Sequence, residues 1–505
     1  MQTYLSLPEP SDLKSLLNGL DLQIGKSQKE HSRRLYLDTF DGRLFGSDWS
    51  LYQKEGQLVL QRGHEDEPIL CAAKPPIAAE ALPETTAAKA LRKVIKNRVL
   101  LPQLELRLHM VRTPLVDEER KSHLYLEEIT LDAKGYAPVS LLAITPLRGY
   151  EKSADRVAKV LQKAGADSAV WPVEGWLGQS LAPWPVAPLI TTQMEGLEAL
   201  RVLCLHQLAV MELNEAGVID GLDVEFLHDF RVALRRMRSL LGRLKGVLSE
   251  ETHATFAREL SQLGRQSGRV RDLDVWLEQL TDQSAALPLE LRSGLAPLIS
   301  YVQSEQKRAA RALIKTLQSE PYHTLKKGWH KLLTTPLATQ LGPQAKEPVG
   351  YLATVQLHKR IRRVLKDGEA IDAQSPDEKL HTLRIDCKKV RYLLEFFGHL
   401  FDSRTMKQMV SQLKKLQSTL GLFQDITTQR ANLHHALEML KTQHKLTPEC
   451  LMATGALLSH LQQQHDKLRK RFFVEFGRFN DPGVAQAALL DLKARKEAYE
   501  SDRDL

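Results

Sequence analysis

Residues 227–241 of the chain are LHDFRVALRRMRSLL, and residues 380–394 are LHTLRIDCKKVRYLL. The second stretch follows the first at an offset of 153 residues, and its basic positions coincide with those of the first. The matched pairs are His228 with His381, Arg231 with Arg384, Arg235 with Lys388, and Arg238 with Arg391. Apolar residues recur every three or four positions in both stretches, which predicts two amphipathic helices of the same design.

The offset of 153 residues extends beyond these two helices. It also pairs residues 268–272, GRVRD, with residues 421–425, GLFQD, so each matched histidine precedes an aspartate by 44 residues. A chance similarity would not keep its register over such a distance. The repeat therefore indicates two tandem copies of one helical unit.

Each repeated helix carries its basic residues beside its apolar residues. At about 100° per residue, Arg231, Arg235 and Arg238 fall within about 80° of His228, and the apolar side chains occupy the adjoining sector. These four residues, and their four matched partners, are called the two basic stripes below. Like charges at this spacing repel one another, at a cost of about 0.2–0.5 kcal/mol per pair. We therefore expect an anionic ligand, and one basic channel if the two copies face each other across a pseudo-two-fold axis.

The net charge of +8 is confined to the C-terminal part of the 505 residues. Residues 1–190 contain 24 basic and 24 acidic side chains, and the remaining residues contain 46 basic and 38 acidic ones. A positive charge restricted to one part of a chain favours a polyanionic partner.

The composition is that of a globular protein, with 43% hydrophobic and 26% charged residues. The four cysteines are far apart, so we expect buried thiols in a reducing cytoplasm rather than disulfides or a zinc site. The first residues lack the pattern of a secretory signal, and no run of about 18 apolar residues occurs, so no membrane segment is expected.

The periodicity divides the chain into three parts. Residues 1–165 are expected to form an α+β domain, residues 166–190 a linker rich in Pro and Trp, and residues 191–505 an all-α domain. Strand-like alternation occurs at residues 34–38, 57–61, 104–111 and 122–131, and a helical pattern occurs at 151–164. Helical patterns then recur at 197–213, 227–244, 260–280, 302–317, 352–365, 380–400, 406–422, 426–440 and 451–473.

The repeated blocks resemble the two signature blocks of the conserved-histidine α-helical domain, or CHAD. They are HDFRVALRRMRSLL with GRVRDLD, and HTLRIDCKKVRYLLEFF with LKKLQSTLGLFQD. The resemblance covers residues 190–480 and implies two pseudo-symmetric four-helix bundles that bind inorganic polyphosphate in a central basic groove. The implied contacts are His228, Arg231, Arg235, Arg238, His381, Arg384, Lys388 and Arg391. Additional candidates from neighbouring basic positions are Arg236, Lys389, Lys307, Arg311, His358 and Arg362.

The first part of the chain resembles a second family, the CYTH domains or triphosphate tunnel metalloenzymes. The resemblance covers residues 1–165 and rests on YLDTFDGRLF at residues 36–45 and WSLYQK at 49–54. It implies an antiparallel β-barrel that surrounds a tunnel, with Mg²⁺ or Mn²⁺ held by carboxylates.

The residues that would hold the metal and the phosphates depart from this pattern. Residues 2–7, the expected first strand, contain neither Glu nor Lys, and Tyr52 and Lys54 stand where arginines are expected. Glu105, Glu127 and Glu128 remain, but neighbours in a strand point to opposite faces. We therefore expect a degenerate tunnel domain with a structural or docking role, without catalytic residues or metal.

The leading hypothesis is a non-catalytic polyphosphate-binding protein without a cofactor, located in the cytoplasm and able to associate with polyphosphate granules. The first alternative is a metal-dependent inorganic triphosphatase of the CYTH class. The second is a nucleic-acid-binding protein, which is disfavoured because the stripes contain no aromatic platform for bases. No membrane partner is expected, and no nucleotide-binding glycine motif is present.

Overall fold

The computed structural model describes residues 3–6, 13–17, 20–63, 65–71, 73–181, 184–401 and 403–501. The chain divides into two compact units, Met1–Trp184 and Pro185–Leu505. Residues 2 and 7 of the expected first strand lie outside the described residues, whereas its central part is a strand.

The first unit is built on an antiparallel sheet in the order β10–β1–β9–β8–β7–β3–β4–β5–β6, and β2 also pairs with β7. The strands predicted from alternation are confirmed as parts of β3, β5, β7 and β8, and the predicted helix is α3. Closure of this sheet into a tunnel stays a prediction. The strands are β1 Thr3–Ser6, β2 Gln23–Ile24, β3 Gln28–Asp38, β4 Trp49–Lys54, β5 Gln57–Arg62, β6 Glu65–Ile69, β7 Leu101–Val116, β8 Ser122–Ala133, β9 Val139–Pro146 and β10 Asp167–Ser168. The helices are α1 Leu13–Leu16, α2 Thr86–Ile95, α3 Glu151–Lys163 and α4 Val173–Ser180.

Part of the stretch interpreted as a linker is folded. Strand β10 pairs with β1, and Val173, Trp176 and Leu177 of α4 are buried in a cluster with side chains of the sheet. An eight-residue helix with prolines close to both ends is too short to show a period. A Cβ atom at Gly178 would lie 2.9 Å from Cζ of Phe45, so the glycine allows α4 to lie close to the Phe45 ring. In the sequence alone, such a glycine is typical of a loop.

The second unit is helical. Its helices are α5 Gly196–Asp220, α6 Val224–Arg243, α7 Glu250–Ala286, α8 Leu289–Arg292, α9 Ala296–Leu317, α10 Glu320–Thr334, α11 Val349–Glu369, α12 Asp377–Phe397, α13 Arg404–Thr442, α14 Pro448–Phe479 and α15 Ala487–Ser501. The predicted helical segments coincide with these elements, except that residue 244 follows the end of α6 and residues 398–400 after α12 form a short 3-10 helix. The segments at 406–422 and 426–440 are one helix, α13, because residues 423–425 between them continue the helix, with the side chain of Phe423 buried.

The helix boundaries follow the sequence repeat. Helices α5, α6, α7 and α9 begin at residues 196, 224, 250 and 296, and α11, α12, α13 and α14 begin at 349, 377, 404 and 448. Consecutive helices of each set pack against one another. The unit therefore contains two equivalent runs of four helices, while the pseudo-symmetric arrangement of two bundles stays a prediction.

The two repeated helices, α6 and α12, contribute their apolar sides to the core. In α6 the side chain of Asp223 accepts backbone hydrogen bonds from Glu225 and Phe226, which fixes the N-terminus of the helix. Nine of the ten apolar positions expected to face the core are buried, whereas Leu394 is only half-buried and lines a cavity between α12 and α13. The buried ones are Leu227, Phe230, Leu234, Met237 and Leu241 in α6, and Leu380, Leu383, Cys387 and Val390 in α12. All four cysteines are buried free thiols, as expected.

Helix α5 is long and apolar enough to cross a membrane by length and composition, with a hydropathy of 1.3 over its best window. Half of that window is buried inside the unit. A core helix of a globular domain passes the same test, so this is weak support for a membrane segment. The absence of a membrane partner stays a prediction.

Candidate functional site

The basic stripes of the two copies meet where α6 packs against α12. Cζ of Arg235 lies 5.7 Å from the ring centroid of Tyr392, a cation–π distance. At the next residue of α6, Nε of Arg236 lies 3.7 Å from Oε2 of Glu395. Side chains of α6 in the first copy thus contact side chains of α12 in the second copy.

A cavity of about 350 Å³ lies at this contact and is lined by α6, α7 and α12. We call it the shared cavity. Its cationic lining residues are Arg235, Arg238, Arg243, Lys388 and Lys389. The other lining residues carry no carboxylate; they are Ser239, Gly242, His253, Ala257, Ser261, Ile385 and Tyr392. The cavity therefore presents a concentrated positive charge from both copies.

Two glycines of α7 make room for arginines of the first stripe. Nη1 of Arg231 donates a hydrogen bond to the carbonyl oxygen of Gly264 at 3.3 Å. A Cβ atom at Gly268 would lie 2.9 Å from that same nitrogen, and one at Gly264 would lie 2.9 Å from Nη1 of Arg238. The glycine that begins the GRVRD block thus allows Arg231 to lie against α7.

The positive charges of the second stripe perturb one another. Burial, together with the charges of Arg384 of the same helix and Arg235 of the first copy, lowers the pKa of Lys388 to about 8. Nη2 of Arg384 lies 3.8 Å from Oδ1 of Asp425, the aspartate of the second block. Burial also raises the pKa of Asp425, although Arg384 and Lys388 oppose this shift. An anion bound here would relieve the repulsion among the cations.

The two matched histidines differ in their surroundings. His228 is half-buried, and burial together with the charge of Arg271 lowers its pKa. His381 is exposed, and its Nδ1 atom forms a hydrogen bond with Oε1 of Gln424. The histidines therefore lie on the basic sides of their helices, but only His228 is held in a desolvated, positively charged environment.

Besides Arg384, three of the predicted residues are paired with carboxylates: Arg236, Lys389 and Arg391. Arg391 donates from Nε to Oε1 of Glu395 at 2.7 Å, so Glu395 contacts both Arg391 and Arg236. Arg391 lines a second cavity of about 600 Å³ between α12 and α13 rather than the shared cavity. Nζ of Lys389 lies 2.6 Å from Oδ1 of the buried Asp386.

The other additional candidates lie apart from the shared cavity. Lys307 and Arg311 are exposed on α9. On α11, Arg362 is exposed and, together with Lys496 and Lys493 of α15, lowers the pKa of His358, although burial has the larger effect. Among the described residues, no contact joins these four candidates to either basic stripe.

Tyr392 and Arg243 are among the lining residues of the shared cavity that sequence reasoning did not predict. Tyr392 follows Lys388 by four residues, so helical spacing places it along the second stripe. Arg243 lies about 60° from His228 on the helical wheel, and extending the wheel by one turn would have included it. Neither residue is part of the matched basic pairs, which is why the repeat alone did not identify them.

Two of the three glutamates that remained as candidate metal ligands, Glu105 and Glu127, are paired with arginines. Glu127 is 4% exposed and accepts hydrogen bonds from Nε of Arg112 at 2.7 Å and from Oγ1 of Thr145 at 3.1 Å. Glu105 forms an ion pair with Arg33 at 2.6 Å. Glu128 is exposed, as expected for the opposite face of the strand. Within the part of the chain that the structure describes, no three His, Cys, Asp or Glu side chains group as metal ligands.

Comparison with known proteins gives one family model and two solved structures that match the helical unit. Residues 203–434 match the family model of the CHAD domain. The crystal structure of the CHAD domain from the plant Ricinus communis is 23% identical, with a TM-score of 0.49, and the match covers 59% of this chain and 96% of that one. PptA from Streptomyces chartreusis is 18% identical, with a TM-score of 0.44, and the match covers 56% and 98%. A comparison with curated proteins gives no match. Residues 203–434 of the helical unit are thus similar to the CHAD domain family.

Proposed function

We propose that this protein binds inorganic polyphosphate in the shared cavity and along the two basic stripes, without catalysing a reaction. The CHAD domain is a family linked to polyphosphate binding. The observation that carries the proposal is the lining of the shared cavity, which has five cationic side chains and no carboxylate.

The chemistry of the lining suits a linear phosphate chain. Arginine can donate two parallel hydrogen bonds to one phosphoryl group, and lysine supplies a compact charge. Because Arg235 belongs to the first copy and Lys388 to the second, a chain that contacts both residues runs across the two copies. Each neutralised phosphate releases counterions, so binding depends steeply on salt.

Nucleic acid fits the same cavity less well. Proteins that bind single strands offer aromatic rings on which bases stack. Tyr392 is 9% exposed and lies beside Arg235, so its ring is not accessible as a stacking platform. A polyanion without bases needs no such platform.

The proposal is tested by titrating long-chain polyphosphate and single-stranded DNA of matched charge into the protein at salt concentrations from low to high. Five neutralised phosphates at about −0.7 each give a slope of about −3.5 for log K against log salt. We expect polyphosphate to bind more tightly than the DNA at every salt concentration. Equal affinities, or a slope near zero for polyphosphate, would contradict the proposal.

The absence of catalysis has its own test. Phosphate release from tripolyphosphate is measured with Mg²⁺ or Mn²⁺ present, with the metal alone as a control. We expect no turnover above this control, because Glu105 and Glu127 are engaged by arginines. Sustained turnover would instead support the triphosphatase alternative.

A further inference from the structure

A second group of charged residues borders the shared cavity, and it lies outside the repeated motif. At its centre is Asp386 of α12, which is fully buried. Nζ of Lys389 lies 2.6 Å from Oδ1 of Asp386, and Nε of Arg363 on α11 lies 3.1 Å from Oδ2. Arg243 and Arg360 complete the group, because the charge of each interacts with that of Asp386. We call these five residues the Asp386 cluster.

The Asp386 cluster has more positive than negative charge. Its four cations share the carboxylate of Asp386, and Arg363 has a second partner in Asp367 at 3.2 Å. Nε and Nη1 of Arg243 and Nε of Arg360 are buried without a hydrogen-bond partner in the described part of the chain. Burial lowers the pKa of Arg243 to about 10, and the charge of Arg360 acts in the same direction. Buried guanidinium N–H groups that lack acceptors are unfavourable, and the oxygens of a bound anion would supply such acceptors.

The Asp386 cluster is present only once in the repeat. At the offset of 153 residues, the positions that match its members carry no charge, except for the partner of Lys389. Phe396 matches Arg243, Gln207 matches Arg360, Val210 matches Arg363, and Ala233 matches Asp386. The equivalent helices of the other copy thus pack without these charges, so the cluster is not needed to build the repeated fold.

We propose that Arg243 forms a subsite for one phosphoryl group that continues the shared cavity at one end, with Arg360 adding positive charge to it. The inference rests on the proposed function and extends it. Asp386 engages Lys389 and Arg363, so the guanidinium group of Arg243, which lines the shared cavity, is left to donate to phosphoryl oxygens. Arg243 lines the shared cavity together with Lys388 and Lys389. A polyphosphate chain bound in the cavity therefore has one phosphoryl group beside Arg243.

A consequence concerns short chains. A polyphosphate chain that is too short to contact all the basic residues gains the most binding free energy where the unsatisfied donors are concentrated. Tripolyphosphate should therefore bind at the end of the shared cavity that contains Arg243, and its affinity should depend on Arg243 more strongly than that of a long chain.

The test compares Arg243→Gln and Arg360→Gln with the wild-type protein by isothermal titration calorimetry of tripolyphosphate and long-chain polyphosphate. The control is Arg471→Gln on α14, because Arg471 is 58% exposed and its partner Glu475 keeps Arg478. We expect each subsite variant to bind tripolyphosphate about tenfold more weakly, and the control to bind like wild type. The unliganded Arg243→Gln variant should melt no lower than wild type, whereas a purely structural role for Arg243 would lower its melting temperature.

The outcomes separate the inference from the proposed function. If Arg235→Gln weakens binding while Arg243→Gln and Arg360→Gln bind tripolyphosphate like wild type, the subsite is refuted and the proposed function stands. If the wild-type protein does not bind long-chain polyphosphate, the proposed function fails. Orthophosphate is titrated in parallel. If it binds as tightly as tripolyphosphate and depends on Arg243 in the same way, the subsite is assigned to free phosphate. Its proposed link with a polyphosphate chain is then refuted.

Discussion

Arg235→Gln removes the one stripe residue that links the two copies through a ring contact. The guanidinium lies 5.7 Å from the Tyr392 ring centroid, lines the shared cavity and acts electrostatically on Lys388 and Arg384. Glutamine keeps most of the length of the side chain and some hydrogen-bonding capacity while removing the charge. The substitution therefore tests the contribution of charge at the contact between the copies.

The expected loss of affinity follows from the number of cations. A hydrogen bond to a charged group contributes about 1.5–3 kcal/mol, which corresponds to a tenfold to hundredfold weaker polyphosphate affinity at low salt. Of the five cationic lining residues, four remain. The slope of log K against log salt should accordingly fall from about −3.5 to about −2.8.

The same substitution should change the titration of Lys388. Arg235 contributes to lowering the pKa of Lys388 to about 8, so its removal should raise that pKa toward the ordinary value. The fraction of protonated Lys388 at pH 8–9 then increases, and the pH at which polyphosphate affinity declines moves upward. A loss of affinity caused by general misfolding would not produce this upward shift.

The assay is calorimetric titration of long-chain polyphosphate at several salt concentrations and at pH values from 7 to 10. Arg471→Gln serves as the matched control, since it removes one exposed arginine from α14. If Arg235→Gln and Arg471→Gln give the same affinity, the same salt slope and the same pH profile, the proposed role of Arg235 in polyphosphate binding is refuted.

Three further predictions concern pH, a close approach and a buried charge. Wild-type affinity for polyphosphate should fall as the pH rises through about 8, because Lys388 then loses its proton; a flat calorimetric profile from pH 7 to 10 would contradict this. Gly268→Ala should weaken polyphosphate binding, because the added methyl group displaces the side chain of Arg231. Gly421→Ala, at the matched position of the second copy where a Cβ atom has no neighbour within 4 Å, should not. Equal affinities of the two variants would contradict the role of Gly268. Asp386→Asn should lower the free energy of unfolding by about 3 kcal/mol because its cationic neighbours lose their counter-charge, and an unchanged urea midpoint would count against that role.

The repeat made the helical unit predictable to an unusual degree. The single offset of 153 residues assigns α6 and α12 the same register, and their apolar positions are buried as the 3.6-residue period requires. The pattern succeeded because each helix combines a core face with an adjacent charged stripe, and both are local properties of the sequence.

The parts of the site that depend on tertiary contacts were not predictable. The Asp386 cluster draws its residues from α6, α11 and α12, and no local spacing indicates that Arg243 and Arg360 approach the same aspartate. The role of Gly268 depends on a side chain of another helix. Helix α4 was missed because its burial against the sheet, rather than a periodic pattern, stabilises it.

The basic stripes also illustrate why charge alone does not define a site. Arg391 and Lys389 belong to the same charged pattern as Lys388, yet each lies beside a carboxylate. Only the folded chain shows that Arg391 lies outside the shared cavity, whereas Lys389 lines it although it is paired with Asp386.

The most direct test of the central claim is the affinity of long-chain polyphosphate for the double variant Arg235→Gln/Lys388→Gln, which removes one cavity cation from each copy. Its matched control is Lys470→Gln/Arg471→Gln, which removes two exposed charges from α14. We predict that the double variant binds at least about a hundredfold more weakly than wild type, and that the control stays within about twofold. Equal affinities of the double variant and the control would contradict the claim that polyphosphate binds between the two copies.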